Sequence, residues 1–295
     1  NGSRVVAGVA GGAAMIRRWD YPGLELSCVE HLEAILPGSD QILNIANRPG
    51  AIDSPIDGLG FTPLSLAAAI GDRRLVSLLL ERKADVDARG EGKNSPLIVA
   101  TREKRIEIVQ DLLDLKGSVN LANQNGDIPL SVAACNGHQT LSRLLIAYSA
   151  DVNHGNSTGQ TILMYAALYG RKHIVCDLIK AGACICDTDV RDWDALKYGV
   201  YRGHQETVKI LLRSGGDVYH KDSWGKDVVS IASRRRYRHL EDILKAWQNV
   251  PCIVLALAKL YFPEAISKVI ISYWGSDFIY VKRKPSRRKK GCTVM

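Results

Sequence analysis

Gly60-Phe61-Thr62-Pro63-Leu64-Ser65-Leu66-Ala67-Ala68 and Gly126-Asp127-Ile128-Pro129-Leu130-Ser131-Val132-Ala133-Ala134 are two copies of one pattern. Pro96-Leu97 stands midway between them, so the Pro-Leu pair recurs at 63, 96 and 129, a step of 33. The same step leads on to Ile162-Leu163, Ala195-Leu196 and Val228-Val229 with no insertion. A fixed period of this length is the mark of a stacked repeat architecture. Eight residues after each anchor stand Gly71, Lys104, Gly137, Gly170, Gly203 and Arg236. An apolar pair follows in each unit, for instance Leu78-Leu79 and Leu211-Leu212, and then a turn such as Ala84-Asp85-Val86-Asp87.

One unit can be read physically. Thr62-Pro63 opens a helix, with proline in the first turn where its missing N–H costs nothing. Gly71 ends that helix. A second helix from Arg73 to Arg82 places Leu75, Leu78 and Leu79 on one face. Such a unit cannot bury its own apolar face and has to stack on its copies. The predicted fold is therefore an all-α solenoid of 33-residue helix-turn-helix units with short hairpins.

These residues resemble the ankyrin-repeat family. Asn136-Gly137-His138 and Tyr201-Arg202-Gly203-His204 add that family's Gly-His step. The likeness covers about residues 58–248, as six units. Stepping back 33 from Pro63 marks 19–57 as a degenerate N-terminal capping repeat, preceded by a loose arm at 1–18. The resemblance implies a concave face of hairpins and first helices that binds a protein partner. Residues two before each anchor, and six and seven after it, are expected on that face. Phe61, Arg102, Tyr169, Trp193, Tyr201, Arg202 and Trp224 are the candidates, because aromatic residues and arginine dominate interface energy. The alternative for these rings is that they fill gaps between hairpins.

Composition bounds the rest. The chain has 295 residues, 46% hydrophobic and 24% charged, which excludes a disordered chain. No run of about 18 uncharged apolar residues occurs. The formal charge of +8 is concentrated at one end. Residues 282–295 hold seven bases and no acid, so 1–281 is nearly neutral. That makes nucleic acid an unexpected partner. Seven scattered cysteines predict a reducing compartment, and Cys184-Ile185-Cys186 lacks the spacing of a zinc ribbon. No nucleophile elbow, phosphate-binding glycine loop or His-Glu-x-x-His is present, so neither an enzyme nor a cofactor is expected.

Two segments follow the repeats. Residues 249–281 leave the 33-residue step. Phe262-Pro263-Glu264-Ala265-Ile266-Ser267-Lys268-Val269-Ile270-Ile271-Ser272-Tyr273-Trp274 resembles the opening of an F-box. The likeness implies docking of a cullin ubiquitin-ligase adaptor, through Phe262, Pro263, Ile266 and Ile270. A helical cap over the last repeat is the other reading. The sequence then closes on Cys292-Thr293-Val294-Met295, which resembles a prenylation box. The resemblance implies a prenyltransferase as partner and Cys292 as the lipid site. One prenyl chain binds membranes weakly and takes a polybasic patch as its second signal. Lys282, Arg283, Lys284, Arg287, Arg288, Lys289 and Lys290 form that patch, suited to an anionic membrane surface. The expected location is the cytosolic face of a membrane.

Overall fold

A computed structural model describes residues 39–48, 50–56 and 60–248. Among them are thirteen α-helices and one short 3-10 turn, Glu91–Lys93. Helix α1 (Ser39–Ala46) is followed by six pairs. They are α2 (Pro63–Ile70) with α3 (Arg73–Glu81), and α4 (Pro96–Arg102) with α5 (Ile106–Asp114). Next come α6 (Pro129–Asn136) with α7 (Gln139–Ala147), and α8 (Ile162–Leu168) with α9 (Lys172–Lys180). The last are α10 (Ala195–Arg202) with α11 (Gln205–Arg213), and α12 (Val228–Arg234) with α13 (Arg238–Gln248). The six pairs are units 1 to 6. The segments 1–38 and 249–295 lie outside the described residues, and with them Phe262, Pro263, Ile266, Ile270, Cys292 and the basic tail. Among the described residues no helix is long and apolar enough to cross a membrane.

The start of each first helix is fixed by a side-chain cap. Thr62, Ser95, Thr161, Asp194 and Asp227 each accept a hydrogen bond from the backbone N–H three residues on. Unit 3 has Ile128 at this place, and there Ser131 Oγ accepts from the Ile128 N–H instead. Four residues after each anchor stand Ala67, Ala100, Ala133, Ala166, Gly199 and Ala232, all buried. These small residues let first helices approach each other more closely than second helices do. The stack therefore bends toward the first helices, which line its inner side. Leu79, Leu112, Leu145, Leu178, Leu211 and Leu244, at one place in each second helix, are fully buried and run the core along the solenoid. Helix α1 continues this order: Ser39, 33 residues before Asp72, hydrogen-bonds its carboxylate at 2.6 Å and packs α1 on unit 1.

The mid-unit position has left-handed backbone in all six units, including the non-glycines Lys104 (φ 57) and Arg236 (φ 63). At Gly170 space is also decisive, since an added Cβ would lie 2.6 Å from Nδ1 of His204. That histidine belongs to a second periodic device. Arg105, His138, Arg171 and His204 each reach back one unit to a backbone carbonyl, of Ala69, Arg102, Cys135 and Leu168 respectively. Two arginines and two imidazoles thus do one job.

The two chemistries respond differently to pH. Burial holds His138 and His204 below the ordinary histidine value near 6.5. Lys104 and Arg171 beside His138, and Arg202 and Arg171 beside His204, push the same way. A base with a lowered folded pKa stabilises above its unfolded pKa, and that stability fades as pH falls through the folded value. The urea midpoint is expected to drop between pH 7 and pH 5.5. Replacing both (His138→Arg with His204→Arg) should flatten that part of the profile, because arginine makes the same bond at Arg105 and Arg171 without titrating. An unchanged slope in the double variant would assign the drop to other groups.

Candidate protein-interaction surface

The inner edge is built from fingers between the units. Each finger closes with a backbone N–H to a carbonyl four residues on: Gly90 to Asn94, Asn123 to Asp127, Asn156 to Gln160, Asp189 to Trp193 and Asp222 to Lys226. From unit 3 on, one side chain fixes the finger. Oδ1 of Asn123, Asn156, Asp189 or Asp222 accepts from the N–H groups two and four residues ahead, at 2.8–3.0 Å. Such an Asx turn holds a short loop without a β-ladder. Adjacent fingertips are laced by backbone bonds from Gln124 to Gly92, Ser157 to Asn125, Val190 to Thr158 and Ser223 to Arg191.

Beneath the fingers runs a buried polar chain. The Tyr165 hydroxyl donates to Asp127 at 3.0 Å and receives Asn156 Nδ2 at 2.7 Å. Gln160 Nε2 donates to the Tyr198 hydroxyl, which donates to Asp189 Oδ2 at 2.8 Å. Arg191 closes on the same carboxylate at 3.0 Å and on Tyr198, and its guanidinium lies 5.2 Å from the Trp193 ring centre. Burial beside Asp189 pushes the Tyr198 phenol well above its ordinary value, so the hydroxyl stays a donor. Buried polar networks rigidify a structure when every member is satisfied. Lys197 of α10 is buried nearby, with Nζ 3.0 Å from the Asp192 carbonyl. Its burial disfavours the charged form, and Asp194, Asp222, Asp192 and Asp217 oppose that.

The expected contact residues divide on this background. Trp193 is 6% exposed, so an exposed ring there is not what the fold provides. Its indole N–H donates to Asp222 Oδ2 at 3.2 Å, and its ring meets Tyr198 and Tyr201 edge-on. It fills the gap between two fingers. Asp127 and Gln160, at the same place in units 3 and 4, are buried as well. Phe61 and Arg102 are half-buried; Phe61 packs on the core, and Arg102 reaches Asn94 Oδ1 at 3.4 Å while its Nε is buried without a partner. Tyr169 and Tyr201 are half-buried at the ends of α8 and α10, Arg202 is exposed, and Trp224 is 63% exposed on the last finger. Val190, 73% exposed on the preceding fingertip, joins them. So does Arg235, exposed above the Tyr201 ring at 4.2 Å. Arg235 stands 33 residues after Arg202, in the same register. It was legible as the next member of that row, but its run with Arg234 and Arg236 reads as the polar end of a solenoid.

The arrangement offers recognition. Among the described residues no group of three or more His, Cys, Asp or Glu could hold a metal ion. Cys135 and Cys176 are free thiols. A family model for ankyrin repeats, in three copies, matches residues 27–123 and 115–189, more than half of the chain. The chain belongs to the ankyrin-repeat family. Ankyrin repeats are protein–protein interaction modules and are generally not catalysts. No curated protein matches the sequence.

Proposed function

We propose that this chain is a membrane-tethered interaction protein whose inner face, over units 4 to 6, holds a protein partner. The carrying observation is the face itself: Trp224 on a finger fixed by Asp222, with Tyr169, Tyr201, Arg202 and Arg235 at the C-terminal ends of the first helices α8, α10 and α12. Rigid aromatic anchors bind at low entropic cost, and such residues concentrate interface energy. Cys292 and the bases from Lys282 to Lys290 are read as the lipid site and electrostatic patch that hold the module at an anionic cytosolic membrane. The more specific version makes it a substrate receptor, with Phe262, Pro263, Ile266 and Ile270 recruiting a cullin-ligase adaptor. A scaffold without ligase contact is what remains if that segment only caps the solenoid.

The test is affinity purification of the tagged full chain from eukaryotic cells, read by mass spectrometry. Tyr169→Ala with Trp224→Ala touches exposed or half-exposed rings and should leave the thermal melt unchanged. Loss of an anchor of this kind costs about 2 kcal/mol, or roughly thirtyfold in affinity. The principal prey should fall by that order. Equal recovery by the double variant would rule out this face. Phe262→Ala, Pro263→Ala and Ile266→Ala together should keep the prey and lose a cullin adaptor; no adaptor with the wild type would leave the scaffold.

A further inference from the structure

Arg235 is held in an unusual way for an exposed arginine. Its Nε donates to the Tyr201 carbonyl at 3.1 Å, and its guanidinium lies over the Tyr201 ring. The Tyr201 ring is itself held edge-on by Trp193, 5.5 Å away, and Trp193 is pinned by its N–H to Asp222. The platform beneath Arg235 therefore leads back into the buried chain of units 5 and 6. Among the described residues the two terminal nitrogens of Arg235 have no acceptor and no carboxylate. A planar fork fixed at its Nε edge loses little freedom when a carboxylate takes its other edge in two parallel hydrogen bonds.

The surroundings set the sign. Arg234 and Arg236 flank it, both exposed, and Arg202 is exposed one unit back. The carboxylates of the two fingers beside it are committed: Asp189 to Arg191 and Tyr198, Asp222 to Trp193, Asp192 to Ser223 at 2.7 Å. Exposed Trp224 and Val190 add apolar surface on the adjoining fingertips. Residues 1–281 are nearly neutral, so this is a local basic spot beside apolar rings and not a broad anion field. Like charge makes the bases from Lys282 to Lys290 an unfavourable occupant of it.

We propose that the inner edge of units 5 and 6 is a docking site for an acidic segment of a protein partner, with a carboxylate in the Arg235 fork and an apolar side chain against Trp224. This rests on the protein-binding reading and names its partner chemistry. The seven tail bases would attract any anion, so the test uses the full chain with all seven changed to glutamine. The probe is a fluorescein-labelled peptide of four Glu-Glu-Leu repeats, followed by anisotropy in 50 mM salt. Its Gln-Gln-Leu counterpart should not bind. Arg235→Ala should weaken binding tenfold or more, Arg235→Lys should restore less than half of that loss, and Arg74→Ala on exposed α3 should change nothing. Equal affinity of the Arg235→Ala variant overturns the site. So does tighter binding of a twelve-residue oligothymidylate, or of vesicles containing phosphatidylserine, through Arg235. With Arg235→Ala added to the capture experiment above, prey lost with the Tyr169→Ala/Trp224→Ala variant but retained with Arg235→Ala would refute the acidic segment alone. Prey retained in both would refute the shared reading.

Discussion

Alanine at Asp189 is expected to lower the stability of units 5 and 6 by about 3–5 kcal/mol. This buried carboxylate receives more than any other group described on the inner edge. Oδ1 takes the N–H groups of Arg191 and Trp193, and Oδ2 takes the Tyr198 hydroxyl and two nitrogens of Arg191. Alanine leaves all of these donors behind. Two are backbone groups inside a finger, one is a buried phenol, and one is a guanidinium wedged against Trp193. Orphaned donors cost their desolvation in full, and a deserted buried charge costs most. Asparagine should be milder, about 1–2 kcal/mol, because Asn123 and Asn156 hold their fingers with the same Oδ1 bonds. The Oδ1 bonds survive, while the donating Nδ2 takes away the charge and the acceptor that Arg191 and the Tyr198 hydroxyl use at Oδ2. Solenoid units interact with nearest neighbours, so the damage should stay local. Urea unfolding should split: tryptophan fluorescence, whose described reporters Trp193, Trp224 and Trp247 all lie at units 5 and 6, should change before the far-ultraviolet circular dichroism that also follows units 1 to 4. A loss within 1 kcal/mol of wild type for Asp189→Ala would show that the finger is held by its backbone alone.

The same carboxylate marks where the sequence was readable and where it was not. The 33-residue step is legible because each unit repeats three local needs: a cap before the first helix, a small residue at 67, 100, 133, 166, 199 and 232, and a left-handed residue after it. Local needs leave local traces. The finger residues also recur at the step, as Asn123, Asn156, Asp189 and Asp222. Read singly they look like ordinary polar loop residues, and only their bonds across two turns show them as the frame of the inner edge. Trp193 fails for a different reason. Its direction depends on what stands opposite in the next unit, and Asp222 there draws the indole N–H inward. The row at 127, 160 and 193 sinks for a shared cause: Tyr165 and Tyr198 are long enough to reach the fingers. Pairing between units is a tertiary fact, and a period locates such residues without saying which way they face.

Replacing Cys292 by serine is expected to have the largest effect on behaviour in the cell, moving the chain from the membrane pellet to the soluble fraction and removing one prenyl group from its intact mass. The expectation rests on two unequal contributions. A single lipid chain gives marginal, reversible attachment, with buried methylenes each worth about 0.8 kcal/mol. Basic residues near an anionic leaflet add on the order of 1 kcal/mol each. Changing Arg287, Arg288, Lys289 and Lys290 to glutamine should then cost about 4 kcal/mol, close to a thousandfold in partition. The two losses can be told apart by salt. Charge-driven binding weakens as ionic strength rises past the level where screening reaches about 8 Å, and lipid insertion does not. The Cys292→Ser chain should retain a weak, salt-sensitive association with phosphatidylserine vesicles. The charge variant should keep its lipid mass and a weak, salt-insensitive one. If Cys292→Ser leaves intact mass and pelleting unchanged, the thiol is not the lipid site and membrane tethering loses its anchor, while the inner face of units 4 to 6 stands or falls on its own partner.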